Sequence, residues 1–522
     1  MRRLPAALAA ALALGVAALP SQAASTAPSF TTVKLAGTSG SAEPRVAVGP
    51  KDVRYAVTSA SNGDEVVFRS NNGTSWTRLA TPPGQTAATI DVDVVTFTSG
   101  RVLTSELDLA GINFINTYSD DQGETWQTST GSTFADTDRQ WFATGPNNTV
   151  YLLFHNLLTG AGQHNMFVQT STDGGATFLP PVPVAAPGSQ SYLDLQCSDS
   201  GGPSAISVNQ KTGQVYVFFG TRSSATGGCG AQPVEVNIVA ANRQWVVTAP
   251  AGSTTNPLAW KESLAVNNTA SGRIVGMQLA GGGLDDAGNV YVAYPESPNA
   301  YPDYNGAAIK VTHAPADLSS WSKPFVVEPP GGVGHILPLV VGGDAGKIGL
   351  TYYSGKPGNT WISNSAQVLD ALSATPHVTR TQLSKLVVEK GTASSLMGAC
   401  LSGPTATLNG FACGRSTDVN GLTIDSCGRM LAIWPAQAGV EEATYTSQQV
   451  SGSRLRTKVC ATSVAAPVKV PVSKPVTPPK ASGGGSSLPA TGLSLSLTGL
   501  SLALLGCALL LRRRRTPLRH HL

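Results

Sequence analysis

Arginine is the side chain best built to grip a carboxylate, because its planar fork donates paired hydrogen bonds. Arg45 in EPRVAVGP, Arg139 in DRQW and Arg273 in SGRIVG each lead into a short run of strand-forming residues. Asp138 and Trp141 flank Arg139 with a carboxylate and an aromatic face. Asp91 and Asp93 in TIDVDVV are carboxyls placed to give or take a proton. A tyrosine becomes a competent nucleophile only beside a carboxylate. Tyr192, Tyr301 and Tyr304 are the tyrosines to consider, with Glu262 and Glu296 as partners. Such groups suit the binding of a carboxylated ligand or the cleavage of a glycosidic bond. Each also has a readier structural role: the arginines pairing with an acid on a neighbouring strand, the tyrosines lining loops.

Other chemistries lack their residues. HExxH, GxSxG and GxxxxGK[ST] are all absent, which removes the zinc-peptidase, hydrolase-elbow and P-loop patterns. His155, His164, His313, His335 and His377 are scattered singly. No metal or cofactor is expected.

The elements that must position these residues form a repeat. A short strand entered through a Gly/Asn/Asp/Pro turn recurs at 48–57, 96–107, 144–154, 208–219, 284–294, 342–353 and 425–434. Residues 24–460 contain no convincing long amphipathic helix, so the body reads as all-β. A strand–turn–strand unit every 50–80 residues or so favours the blades of a β-propeller over a sandwich. The count predicts seven blades, with six as the alternative.

A second repeat follows the first three units. Ser119-Asp120-Asp121-Gln122-Gly123-Glu124-Thr125-Trp126 and Ser171-Thr172-Asp173-Gly174-Gly175-Ala176-Thr177-Phe178 both fit S-x-D-x-G-x-T-[WF]. Asn71, Gly73, Ser75 and Trp76 form a degraded copy, and Asp317 to Trp321 a faint remnant. Glycine supplies the positive φ of a tight hairpin, and the short Asp or Asn accepts the amides that the turn exposes. The distant bidentate Glu of a calcium loop is missing. The pattern resembles the Asp-box, or bacterial neuraminidase repeat, of sialidase-like propellers. That resemblance implies hairpins on the blade periphery and a site at the heads of the innermost strands. In the enzymes of that family three arginines hold a carboxylate, a Tyr–Glu pair is the nucleophile and an Asp is the acid/base. Carried onto this chain, the roles fall to Arg45, Arg139 and Arg273, to Tyr301 with Glu262, and to Asp91 or Asp93. Asp138, Trp141, Tyr192 and Tyr304 would line the ligand. The family's F/Y-R-I-P around the first arginine is absent, which puts the catalytic set in doubt.

Both ends of the chain read as addresses. Arg2 and Arg3, an apolar stretch from Leu4 to Leu19 and Ser21-Gln22-Ala23 form a secretory signal over 1–23. Leu488-Pro489-Ala490-Thr491-Gly492 precedes an apolar run at 493–511 and four arginines at 512–515. This resembles an LPXTG sorting signal, which implies sortase as a partner and covalent attachment of Thr491 to peptidoglycan. The apolar run is long enough to pause in a bilayer, and the arginines resist translocation. Pro, Lys, Gly and Ser dominate 461–487, a spacer that buries no core. The discarded ends carry seven arginines and no acid, so the anchored chain has 28 bases against 31 acids, a net −3. Six more bases lie in the acid-free tail, which leaves 24–451 at −9. Nucleic acid is therefore excluded as a partner. Outside the apolar run stand Cys197, Cys229, Cys400, Cys413, Cys427 and Cys460. An even number in an exported chain predicts disulfides. Proximity favours 197–229, 400–413 and 427–460 among the 15 pairings that six cysteines allow.

The sequence thus predicts a wall-anchored, sialidase-like propeller that binds a glycan or another extracellular ligand. The alternatives are an exo-acting sialidase-type hydrolase and a structural wall protein without a small ligand. Replacing Thr491→Ala is expected to move the protein from the muramidase-released wall fraction to the membrane fraction. An unchanged wall fraction on immunoblotting would refute the sorting signal.

Overall fold

The computed structural model describes residues 26–457 except 41–42, 61, 85–88, 90, 109–112, 132–136, 157–163, 197–202, 224–240, 272, 274–280, 300–304, 391–419 and 437–441. All of these fall in the first of two compact units, Met1–Ser463. The linker, the sorting signal and the 493–511 run lie outside the described residues. Among the described residues no helix is long and apolar enough to cross a membrane.

Seven antiparallel four-stranded sheets make a seven-bladed β-propeller. The innermost strands, in blade order, are Arg45–Val48, Val92–Thr96, Thr137–Thr144, Pro203–Val208, Gly281–Leu284, His335–Gly342 and Gly421–Ile424. Each touches the innermost strand of the next blade, and the last touches the first, which closes the ring. The seven repeat units of the sequence are the hairpins joining first and second strands, so the count of seven holds and six is excluded. Their turns bind their own backbone. Asp285 accepts Asn289 N at 2.9 Å, and Asp425 accepts Arg429 N at 2.9 Å.

Second strands are sandwiched between blades and are buried at almost every position. Val215–Thr221 and Met430–Ala436 are buried at every position. Outer strands such as Thr77–Arg78 are exposed. Near the axis the innermost strands crowd so closely that a side chain does not fit everywhere. A Cβ on Gly281 would lie 2.6 Å from the Pro338 carbonyl oxygen, and one on Gly342 2.2 Å from that of Leu284.

The Ser–Asp–Gly–Thr hairpins join the third and outer strands of blades 1–3, opposite the heads of the innermost strands. Ser119 Oγ accepts Gly123 N at 2.7 Å, while Asp121 accepts Thr125 N at 2.9 Å and the Thr125 hydroxyl at 2.6 Å. Ser171, Asp173, Gly175 and Thr177 repeat these bonds at 2.8, 2.9 and 2.6 Å. Phe178 is buried, whereas the indoles of Trp76 and Trp126 are only partly covered and donate to the carbonyls of Gly73 and Ala80. In blade 1 the hairpin is one residue shorter, with Gly73 N donating to Ser70 Oγ at 2.8 Å. Asn72, not Asn71, takes the place of the aspartate, accepting Ser75 N at 2.8 Å. Asn71 contributes only its carbonyl, to Arg54 at 3.0 Å. At Asp317, Ser319 N closes a comparable turn at 3.0 Å.

The ring is closed by strands from the two ends of the domain. Ser29–Lys34 pairs antiparallel with Ala443–Ser451 and forms the outer strand of blade 7. Arg54 of blade 1 reaches across the same seam. It donates to Asp425 at 3.1 Å, to Gln448 at 3.0 Å and to the Asp52 carbonyl at 2.6 Å. Cys427, beside Asp425, is buried and disulfide-bonded. Its partner and the other cysteines lie outside the described residues, so no pairing is assigned.

Arg54→Met is expected to cost about 3 kcal/mol in urea unfolding, because it leaves a buried carboxylate without its main partner. A loss below about 0.5 kcal/mol would show that closure does not depend on this pair.

Candidate functional site

The heads of the innermost strands share one end of the ring, here called the upper face. Arg45 begins the blade 1 strand, Asp91 and Asp93 straddle the start of the blade 2 strand, and Asp138 to Trp141 lie at the start of the blade 3 strand. An axial cavity of about 420 Å³ runs between these strands. Arg45 and Asp93 are the only charged groups among the described residues that line it.

Arg45 is cradled by two other blades. Its guanidinium carbon sits 3.9 Å from the centre of the Trp141 ring, and one terminal nitrogen donates to the Asn420 carbonyl at 2.9 Å. Nε is buried and has no hydrogen-bond partner among the described residues. Trp141 itself is only 3% exposed. The sequence marked it as a ligand contact, but its face is taken by Arg45. Asp93 accepts Val94 N at 2.8 Å and Phe142 N at 2.5 Å. Burial pushes its carboxyl up to about 6, against the pull of Arg45 and those two amides.

A β-bulge shapes the blade 3 head. The register shifts between Asp138 and Trp141, and Arg139 adopts a φ of 58°, a costly value for a non-glycine residue. The bulge lets Asp138 face both Asp91 and His155. Burial, Glu43 and Asp138 raise the Asp91 carboxyl well above the usual range. Burial works against Asp138 as well, but His155 and Arg139 hold it low. The two carboxyls are thus driven apart, Asp91 upward and Asp138 downward. His155 Nε2 lies 3.7 Å from Asp138, an electrostatic contact longer than a hydrogen bond. Burial keeps that imidazole neutral. Gln140, fully buried, donates to the Asp91 carbonyl at 2.8 Å. Blade 6 carries the same bulge, between Ile336 and Leu339 with Leu337 at a φ of 52°, but with apolar side chains. The bulge is therefore architecture, and the charges on it are not.

A second pair of acids lies behind the first. Glu65 and Glu106 are 2% and 1% exposed on facing strands of blades 1 and 2. Burial, then Asp108 and Asp64, pushes Glu106 up to about 8. Burial and Glu106 raise Glu65 well above the usual range, with the Thr104 hydroxyl opposing. The sequence reading missed Glu43, Glu65, Glu106, Gln140 and His155. TSELD at 104–108 gives the one usable signal, a glutamate inside a strand buried at almost every position.

Other expected members stand elsewhere. Arg139 reaches Asp138 at 3.9 Å and is close enough to repel Arg45. Arg273 is exposed between blades 4 and 5, ahead of the blade 5 inner strand rather than on it, 3.9 Å from Glu296. Glu296 also accepts Lys310 and Asn268. Glu262 lies on the outer strand of blade 4, where it accepts Gln190 N at 3.1 Å and Ser191 N at 2.8 Å and so caps the helix Gln190–Leu195. Tyr192 is part of that helix, partly buried against the core. Tyr301 and Tyr304 lie outside the described residues. The described tops of blades 1–3 therefore assemble two of the three arginines and both aspartates, but neither the third arginine nor Glu262.

One group of acids has metal-like spacing: Asp52, Asp425 and Cys427 offer atoms within 4.8 Å of one another. Cys427 is in a disulfide, Asp425 is paired with Arg54 and Asp52 accepts Ser426 at 2.8 Å, so the donors do not fit an ion.

No protein-family model and no curated protein matches the sequence. Solved structures match by shape at low identity. An ulvan lyase, described as a new family of polysaccharide lyase, aligns with TM-score 0.49 and 11% identity over 80% of this chain and 96% of its own. An α-L-arabinofuranosidase from Fusarium graminearum aligns with TM-score 0.40 and 12% identity, over 69% and 98%. A mutant of the Aleuria aurantia lectin in complex with a fucosylated sugar aligns with TM-score 0.36 and 9% identity, over 66% and 96%. Likenesses at this level assign no activity, and the fold rests on the strand pairing itself.

Glu106 binds its proton more tightly folded than unfolded, so its contribution to stability is complete below about pH 4.5 and is lost as pH rises towards 8. The urea midpoint is expected to fall between pH 5 and 8, with a much flatter profile in Glu106→Gln. Equal slopes for the two proteins would show that Glu106 is not protonated at neutral pH.

Proposed function

We propose that this chain is an extracellular binding module, displayed on the cell wall, whose upper face recognises a glycan bearing a carboxylate. The observation that carries the reading is Arg45. It is a half-buried fork at the mouth of a cavity, stacked on Trp141, with one terminal nitrogen bonded to the Asn420 carbonyl and Nε unpartnered among the described residues. A buried donor without a partner is costly unless a ligand completes it. Asp93 beside it supplies an acceptor for sugar hydroxyls. The display half of the proposal rests on the secretory signal, the spacer and LPATG. The Ser–Asp–Gly–Thr hairpins support kinship with sialidase-like propellers.

The hydrolytic alternative needs three arginines on one carboxylate and a tyrosine beside a glutamate. Glu262 is committed to a helix cap and Arg273 to the neighbourhood of Glu296, so binding is the better-supported reading.

The test is a glycan array carrying paired neutral and carboxylated oligosaccharides, probed with the purified protein. Saturable binding of the carboxylated members is expected, weakened at least about tenfold by Arg45→Gln, as for the loss of a charge-assisted hydrogen bond. No saturable binding to any member would reject the proposal. Turnover of a fluorogenic sialoside that disappears in Arg45→Gln would replace it with the hydrolase.

A further inference from the structure

We infer that the upper face takes up one proton, onto Asp93, when an anionic ligand occupies Arg45. The inference rests on the reading of the site as a carboxylate binder and adds its regulation by pH.

The argument is a charge count. The cavity wall offers one cation and one anion, Arg45 and Asp93. Arg45 is the only side chain that favours ionised Asp93 against its burial; the other help comes from two backbone amides. A ligand carboxylate seated on Arg45 uses the same positive charge and brings a second negative one beside Asp93. One guanidinium does not hold two buried carboxylates ionised, so the carboxyl with the higher pKa is neutralised. Asp93 already stands at about 6, above a sugar carboxylate in water. The proton comes from solvent and ends on an Asp93 oxygen, and no other bond is made or broken.

The neighbours of Asp93 are drawn in other directions. From blade 1, Arg45 and the buried Glu43 face the site. From blade 2, burial, Glu43 and Asp138 raise Asp91 well above the usual range. From blade 3, His155 and Arg139 hold Asp138 low, and burial lowers His155 below its ordinary value. Among these carboxyls Asp93 is the one that lines the cavity with Arg45 and stands at about 6. Binding that takes up a proton weakens as pH rises, by up to tenfold per pH unit between the free and the ligand-bound pKa of Asp93.

Two measurements test this on the purified protein. In the first, the Asp93 carboxyl carbon is followed by NMR against pH, with Asp93→Asn giving the assignment. The midpoint is expected to rise in Arg45→Gln and to stay in place in Arg45→Lys, which keeps the charge. An unmoved midpoint in Arg45→Gln overturns the proposal, whatever binds. In the second, sialyllactose is titrated calorimetrically at pH 6.5 in buffers of different ionisation enthalpy, with lactose as the neutral control. Uptake of up to about three-quarters of a proton, since Asp93 is already partly protonated at that pH, and absent in Asp93→Asn, is expected. Binding without uptake overturns the proton linkage and leaves the carboxylate reading standing. No binding of sialyllactose, with the NMR shift intact, removes the ligand reading and the linkage that rests on it.

Discussion

Closing seven sheets into a ring forces seven strands to converge on one axis, and the remaining features follow from that crowding. Glycines stand where neighbouring backbones meet, as at Gly281 and Gly342. The seam is shared by the two ends of the domain, Ser29–Lys34 pairing with Ala443–Ser451. Residues hundreds of positions apart become neighbours there, Arg54 with Asp425 on one side and Arg45 with the Asn420 carbonyl on the other. The same geometry that makes closure a long-range problem for folding gathers the strand heads into one small surface.

That surface is electrostatically unusual. A propeller of this size can be built with apolar side chains on such a bulge, as Ile336 to Leu339 of blade 6 demonstrate. Blades 1–3 instead bury Glu43, Glu65, Asp91, Asp93 and Glu106, with Asp138, Arg45 and Arg139 half-buried among them. Buried carboxylates in such numbers are tolerated only when most are neutral or paired. The raised carboxyls of Asp91 and Glu106, and the arginines facing Asp93 and Asp138, meet that condition. The cost falls on one side of the ring rather than evenly round the axis.

Much of the architecture was legible because it is local. A turn residue followed by an apolar strand recurs seven times, and each occurrence is a real inner hairpin. The Ser–Asp–Gly–Thr hairpins were legible for the same reason, except in blade 1. There a one-residue deletion moved the amide-accepting role from Asn71 to Asn72. The site was legible only in part. Arg45, Asp91, Asp93 and Asp138 head strands and could be picked by position. Glu65, Glu106 and His155 lie inside strands buried on both faces, where no alternation separates a functional side chain from a structural one. Trp141 could also be picked by position, and it does line the cavity, but one sequence does not show that a guanidinium from another blade covers its ring. Glu262 failed for a related reason. A helix N-terminus is a strong sink for a carboxylate, and nothing local to residue 262 reveals that the Gln190–Leu195 helix lies beside it.

The balance between binding and catalysis turns on how the charges are partnered. A glycosidase needs its acid proton at the reacting oxygen and its nucleophile across from it. Here Asp91, the carboxyl raised well above the usual range beside Asp138, is buried and is not among the cavity-lining residues. That arrangement stabilises a fixed constellation better than it delivers a proton. What the cavity does present is a preorganised cation on an aromatic ring, with an acceptor at its side. Preorganised groups of that kind raise affinity by removing the cost of ordering them on binding. In the proposed reading a site so fixed suits repeated capture of a surface-bound sugar, because the ring holds the geometry constant.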